Sequence, residues 1–189
     1  MAGNQFKTDE LGGLTFSATY TTEQYPLGTV AYQHPDDLPA VTINGTVVGN
    51  SGVSSTTNFA SLSGTRRWIF VRAAEAVAAG ALCEWDSNTY TTPFSVEPCD
   101  EDAKDRYLLA GVADNAIAAE SYGWILQQGT CVILASAGLA IGEAIDSDGS
   151  SGTEGSVDTT AGVAGSIGHA LEAVSGTLTN YAQCYIDLA

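Results

Sequence analysis

Between Glu120 and Glu143 the chain carries no charge. Within Ser121–Asp148 the order is a Tyr122-Gly123-Trp124 opening, an apolar run, a glycine pivot, a second apolar run and an acidic Gly/Ser turn. That pattern predicts strand, turn, strand, turn, buried in a sheet or between subunits. Similar units precede and follow it. Trp68–Val71 is a strong strand, and Ala81–Trp85 is a second one reached through an Ala/Gly turn. Tyr90–Val96, Leu108–Val112, Ala170–Val174 and Ala182–Leu188 read as further strands. Asn44-Gly45 between apolar β-formers predicts a hairpin over Ala40–Val48. No segment holds a long helical stripe. Fold class is therefore all-β, a small barrel or sandwich.

Two segments align without gaps at an offset of 62 residues. Phe70-Val71 falls on Val132-Ile133, Val77 on Leu139, Gly80 on Gly142 and Cys83 on Ile145. Glu84 and Asp86 fall on Asp146 and Asp148. This predicts two similar β-motifs, residues 67–120 and 121–189. Residues 31–189 then form the β-rich domain, and residues 1–30 an extended N-terminal arm. In the arm Gly12-Gly13 breaks any helix, Leu14–Tyr20 alternates apolar and polar, and Tyr25-Pro26-Leu27-Gly28 marks a turn. Its apolar residues Phe6, Leu14, Phe16, Tyr20 and Tyr25 need a surface to lie on, in this chain or in a neighbour, and are the candidate interface residues.

Charge narrows the function. The net charge is -16, from 6 basic and 22 acidic residues, and no basic residue follows Arg106. Such a field repels phosphate, so no nucleic-acid partner is expected. Charged residues make up only 15% of the chain against 44% apolar, which suits extensive contact with partners. Met1–Gly13 lacks the basic and apolar regions of a secretory signal, and no apolar run reaches membrane-spanning length. Synthesis in a reducing cytoplasm and no membrane partner are the expectations. Cys83, Cys99, Cys131 and Cys184 form no CxxC pair; a Cys83–Cys99 bridge is open, and Cys131 and Cys184 read as buried small hydrophobes.

Motifs for chemistry are weak. His34 and His169 sit in Pro- and Gly/Ala-rich contexts, and no GxSxG elbow occurs. Gly162, Gly165 and Gly168 do not match GxGxxG. Asp146, Asp148 and Ser150 begin like a calcium loop, but Ser151 and Val157 stand where the sixth-position Gly and twelfth-position Glu belong. No catalytic residue, cofactor or metal site is predicted. Trp68, Trp85 and Trp124 read as core or interface anchors, with sugar stacking as the alternative.

Tyr25-Pro26-Leu27-Gly28, Trp68–Val71 with its Ala/Gly turn to Leu82, Gly111-Val112-Ala113 and Ser121–Trp124 together resemble small β-rich structural proteins of tailed bacteriophages. In that group, capsid cement, decoration and head-fibre proteins carry a PLG-type turn and a YGW-type strand opening. The resemblance spans about residues 20–188, with residues 34–64 as an insertion. It implies a non-enzymatic, commonly trimeric protein on the outer capsid surface, holding major capsid subunits together. The partners it implies are the major capsid protein and further copies of the chain. A tail or fibre component and a carbohydrate-binding β-sandwich are the alternatives.

Overall fold

The computed structural model describes residues 6–7, 15–33, 42–43, 46–47, 65–86, 92–100, 105–136, 138–148, 154–159, 166–174 and 180–189. Over these residues the chain is all-β, with one 3-10 turn at Arg106–Leu108. Twelve strands join in one sheet. They are β1 (Phe6–Lys7), β2 (Thr19–Tyr20), β3 (Val30–Gln33), β6 (Arg66–Ala73), β7 (Leu82–Trp85), β8 (Ser95–Pro98), β9 (Leu109–Ala113), β10 (Tyr122–Ala135), β11 (Ala144–Asp148), β12 (Ser156–Thr159), β13 (Gly168–Ala170) and β14 (Asn180–Asp187). The predicted hairpin is a separate pair, β4 (Thr42–Ile43) and β5 (Thr46–Val47); its Asn44-Gly45 turn lies outside the described residues.

The sheet closes on itself twice, and β10 belongs to both circuits. In the first ring β6 pairs β8 in parallel, then β8–β7, β7–β9, β9–β10 and β10–β6 all pair antiparallel. In the second ring β10 pairs β12 in parallel, then β12–β11, β11–β13, β13–β14 and β14–β10 pair antiparallel. The pairing scheme is the same step for step. Shifted by 62 residues, Arg66–Ala73 falls on the second half of β10, and Leu82–Trp85 falls on β11. The isolated bridges Val77↔Ile117 and Leu139↔Val174 occupy matching places. Closure removes sheet edges that would otherwise pair with other chains.

The interiors match as well. Ile69, Val71, Ala73, Val77, Cys83 and Val96 fill the first ring. Cys131, Ile133, Ala135, Leu139, Ile145 and Val157 stand at the corresponding places in the second. These residues alternate along each strand with residues on the outer face, as the two-residue period requires. The outer face of β6 and the first half of β10 carries Trp68, Phe70, Trp124 and Leu126. It is too apolar to meet water, and residues 15–31 lie on it: Phe16 and Ala31 belong to the same buried cluster, with Tyr20, Tyr25 and Leu27 packed against it.

Several local expectations differ from the structure. Leu14–Tyr20 alternates like a strand, but among its described residues, 15–20, only Thr19–Tyr20 pairs, with Tyr122 and Gly123; residues 15–18 form a turn closed by Ala18 N–H to Thr15 C=O. Of the strand expected over Tyr90–Val96, residues 90–91 lie outside the described residues; from residue 92 on, the strand begins at Ser95 and runs to Pro98. Phe94 before it has φ 60°, which no strand residue adopts.

Candidate functional site

The two segments that carry the sequence resemblance meet. Tyr25 sits with its ring 5.4 Å from Trp124 and 5.2 Å from Phe70, in tilted and edge-on contacts. Phe16 stacks on Trp68 at 5.0 Å and meets Trp124 edge-on at 5.4 Å. Phe70 stacks on Tyr122 at 6.2 Å. Such pairs add about 0.5–1.5 kcal/mol each beyond burial. The turn at Pro26–Thr29 is tied to β6 by Gly28 N–H to Phe70 C=O and Phe70 N–H to Thr29 C=O, both 2.9 Å. Trp68 Nε1 donates to Gln33 Oε1 at 3.2 Å.

Of the predicted interface residues, Phe16 is 8% exposed, within the chain's own core. Tyr20 and Tyr25 are half-buried against that core. Phe6 lies on β1, whose backbone pairs in parallel with β3 through Phe6↔Ala31. Leu14 lies outside the described residues. The structure thus brings Phe16, Tyr20 and Tyr25 together around Phe70 and Trp124.

Where the rings join, β10 changes register between Leu126 and Gln128, and Gly129 has φ 120°. A Cβ there would lie 2.9 Å from Arg66 Cγ, so glycine makes room for the arginine stem. Burial lowers the Arg66 pKa while Asp114 and Cys131 raise it; burial also raises the Asp114 carboxyl, against the pull of Arg66. The Arg66 guanidinium lies 5.9 Å from the Trp68 ring centre. Arg67 donates to Gln127 Oε1, and Gln127 Nε2 donates to Ala110 C=O at 3.2 Å. This is a buried polar brace inside an apolar seam, suited to fixing one register.

All four cysteines are buried free thiols. Burial, then Cys99, pushes the Cys83 thiol up to about 12; burial, then Glu172, pushes Cys184 up to about 12. Cys131 stands opposite Cys184 across β10–β14 and is also raised, by burial first and then by Cys184. Thiols held so far from the thiolate form are poor nucleophiles. Glu84 stands opposite Glu97 on β7–β8, and Asp146 opposite Asp158 on β11–β12, so each ring carries a like-charged pair at the corresponding place. The Glu97 carboxyl is raised by burial, then by Asp86, Glu84, Glu75 and Asp100. Among the described residues no group of three acidic, histidine or cysteine side chains is placed to hold a metal ion. Among them, too, no helix is long and apolar enough to cross a membrane. Trp68 and Trp124 are 0% and 2% exposed, out of reach of a sugar ring, while Trp85 is half-buried with its ring centre 6.0 Å from that of Phe94.

Sequence reasoning missed a recurring turn. An apolar or aromatic residue stands three positions before a residue of positive φ, and a strand follows: Tyr25 with Gly28, Val77 with Gly80, Ile117 with Glu120, Leu139 with Gly142. The signal is readable in the sequence, but the Glu120 copy hides it from a search for glycine.

Fold and site define an all-β module with a sealed aromatic seam. No family model matches the chain, and no curated protein matches it. A similar solved structure is the head fiber gp8.5 N base of bacteriophage phi29, at 13% identity and a TM-score of 0.49 over 65% of this chain and 94% of that one.

Proposed function

We propose that the chain is a non-enzymatic structural protein of a bacteriophage virion, which binds the outer capsid surface and stabilises contacts between major capsid subunits. One observation carries the reading. The PLG-type turn and the YGW-type strand opening, nearly a hundred residues apart, join in one contact between Tyr25 and Trp124. Segments that resemble phage structural proteins are thus the segments that build the seam. Two closed rings sharing one strand make a rigid body, and a rigid body holds its partners at fixed spacing without reordering cost on binding. The acidic surface keeps assembled particles apart and favours a basic docking face on the capsid. Self-association, as a trimer, belongs to the same reading.

The test is co-purification. Expressed with its phage, the protein should travel with icosahedral particles at hundreds of copies per particle; a few to tens of copies would place it in a tail or fibre, and none would end the reading. Removing residues 1–14 tests the arm while sparing Phe16, Tyr20 and Tyr25, which the core needs. Full occupancy after that truncation would exclude attachment through the removed segment.

A further inference from the structure

The doubled fold supplies an internal control for its own positions. The β6–β10 ladder of the first ring and the β10–β14 ladder of the second hold matching places, and the 62-residue shift carries Ile69 onto Cys131. Ile69 stands opposite Ile125, and Cys131 stands opposite Cys184. The next strand in each ring agrees: Ile125 faces Ala113 on β9, and Cys184 faces Ala170 on β13. Ile69, Ile125, Cys131 and Cys184 are all buried in the ring interiors. Where the first ring packs isoleucine on isoleucine, the second thus has cysteine on both strands at once. Two thiols fill less space than two isoleucines, so packing alone favours the isoleucine pair.

The ladder fixes the geometry of the pair. Leu188 N–H donates to Gln127 C=O at 2.8 Å, and the register from Gln128↔Asp187 to Ala135↔Asn180 is unbroken. Counting along it in twos makes Cys131 and Cys184 a hydrogen-bonded pair, with Cα atoms about 5.5 Å apart. Disulfides span about 4.4–6.8 Å between Cα atoms, so the backbone already suits one. Facing Cβ atoms stand about 4.5–5.5 Å apart, against about 3.5–4.5 Å in a disulfide, so closure must draw the strands together by about 1 Å. A bond made under that strain is easily reduced. The other two cysteines lack this geometry. Cys83 stands opposite Pro98, and Cys99 N–H donates to Leu82 C=O one place along, so Cys83 and Cys99 project from opposite faces into different clusters.

We propose that Cys131 and Cys184 are a reversible redox staple: free thiols in a reducing medium, and a disulfide across β10–β14 once the protein meets peroxide. This stands apart from the capsid reading. Hydrogen peroxide oxidises one thiol to a sulfenic acid and leaves one water. The sulfur of the second thiol then attacks the sulfenic sulfur; the S–S bond forms, the S–O bond breaks and the hydroxyl departs with the thiol proton as a second water. In sum, two thiols and one peroxide give one disulfide and two waters. Burial makes the reaction slow, since the ladder must open locally to admit peroxide, and keeps bulkier reagents out. Once made, the bond pins β14 to the strand that both rings share.

The test uses the full chain, held in hydrogen peroxide and compared with the same chain kept in dithiothreitol. Both samples are then unfolded and alkylated with iodoacetamide. The reduced chain should take an adduct on each of Cys83, Cys99, Cys131 and Cys184. The oxidised chain should take adducts on Cys83 and Cys99 alone, with Cys131 and Cys184 in one linked peptide. It should also melt higher by about 5–10 °C, and dithiothreitol should restore the lower value. Cys83→Ser should keep that shift, and Cys184→Ala should lose it. Adducts on every cysteine after oxidation, sulfinic acids without a link, or a link between other cysteines would overturn the pairing. A Cys131–Cys184 link that leaves the melting temperature unchanged would overturn the staple.

Discussion

Glycine at a positive φ answers two needs, and residues 80 and 142 separate them. Gly80 must adopt φ 77° and also leave room for the Tyr181 ring; Gly142 adopts φ 80° in open space. Gly142→Ala should therefore cost about 1 kcal/mol, the left-handed penalty alone. Gly80→Ala adds overpacking against a ring and should cost about 3 kcal/mol in total. Urea unfolding at low protein concentration measures both; equal costs would mean that the Tyr181 contact does not constrain Gly80. Glu97 supplies a pH test. Burial and the carboxylates of Glu84, Asp86, Glu75 and Asp100 raise its pKa in the folded state. The folded chain then holds the proton more tightly than the unfolded chain, so this residue's contribution makes stability fall as pH rises from the ordinary glutamate range through the raised value. Glu97→Gln removes the charge and keeps the shape. It should raise the melting temperature at pH 7, and the gain should shrink as pH falls towards 4. A gain constant with pH would assign the effect to something other than ionisation.

At the scale of elements, the strands that alternate cleanly or carry dense apolar runs were legible: Trp68–Val71, Ala81–Trp85, Tyr122 onward and Ala182–Leu188 all lie on or overlap observed strands. Their residues bury one face or both, and local pattern suffices. At the 62-residue offset, Val77 and Cys83 have buried counterparts in Leu139 and Ile145, while Gly80 and Gly142 share only their positive φ. The segment at 14–20 was not. Its alternation is that of a strand, but its conformation follows from Phe16 entering the space between Trp68 and Trp124, a contact no local pattern encodes. The same holds for the candidate interface. The apolar character of Phe16, Tyr20 and Tyr25 showed that a surface must cover them; that the outer face of β6 and β10 does so required the register of those strands. Phe16→Ala should accordingly cost about 3–5 kcal/mol of stability, as for a large core truncation. A cost near zero in thermal or chemical unfolding would mean that the aromatic contacts of Phe16 contribute little in solution.

For the whole molecule the decisive feature is that the two rings share one strand. β10 contributes Ile125 to the interior of the first ring and Ile133 to that of the second, both fully buried. Losing the first ring would strip β10 of β6 and β9, and losing the second would strip it of β14 and β12. Neither ring keeps a closed circuit without the other's strand, so the molecule should unfold in a single transition. The tryptophans make this measurable. Trp68, Trp85 and Trp124 all stand on strands of the first ring, whereas circular dichroism reports on both. Ile133→Ala opens a cavity in the second ring only and should cost about 2–5 kcal/mol. If the shared strand couples the rings, tryptophan fluorescence, whose three reporters stand on first-ring strands, should shift its midpoint by the same amount as the dichroism signal. A fluorescence midpoint that stays at the wild-type value while the dichroism transition splits would show two independent units, and the shared strand would then be a covalent connection rather than a cooperative one.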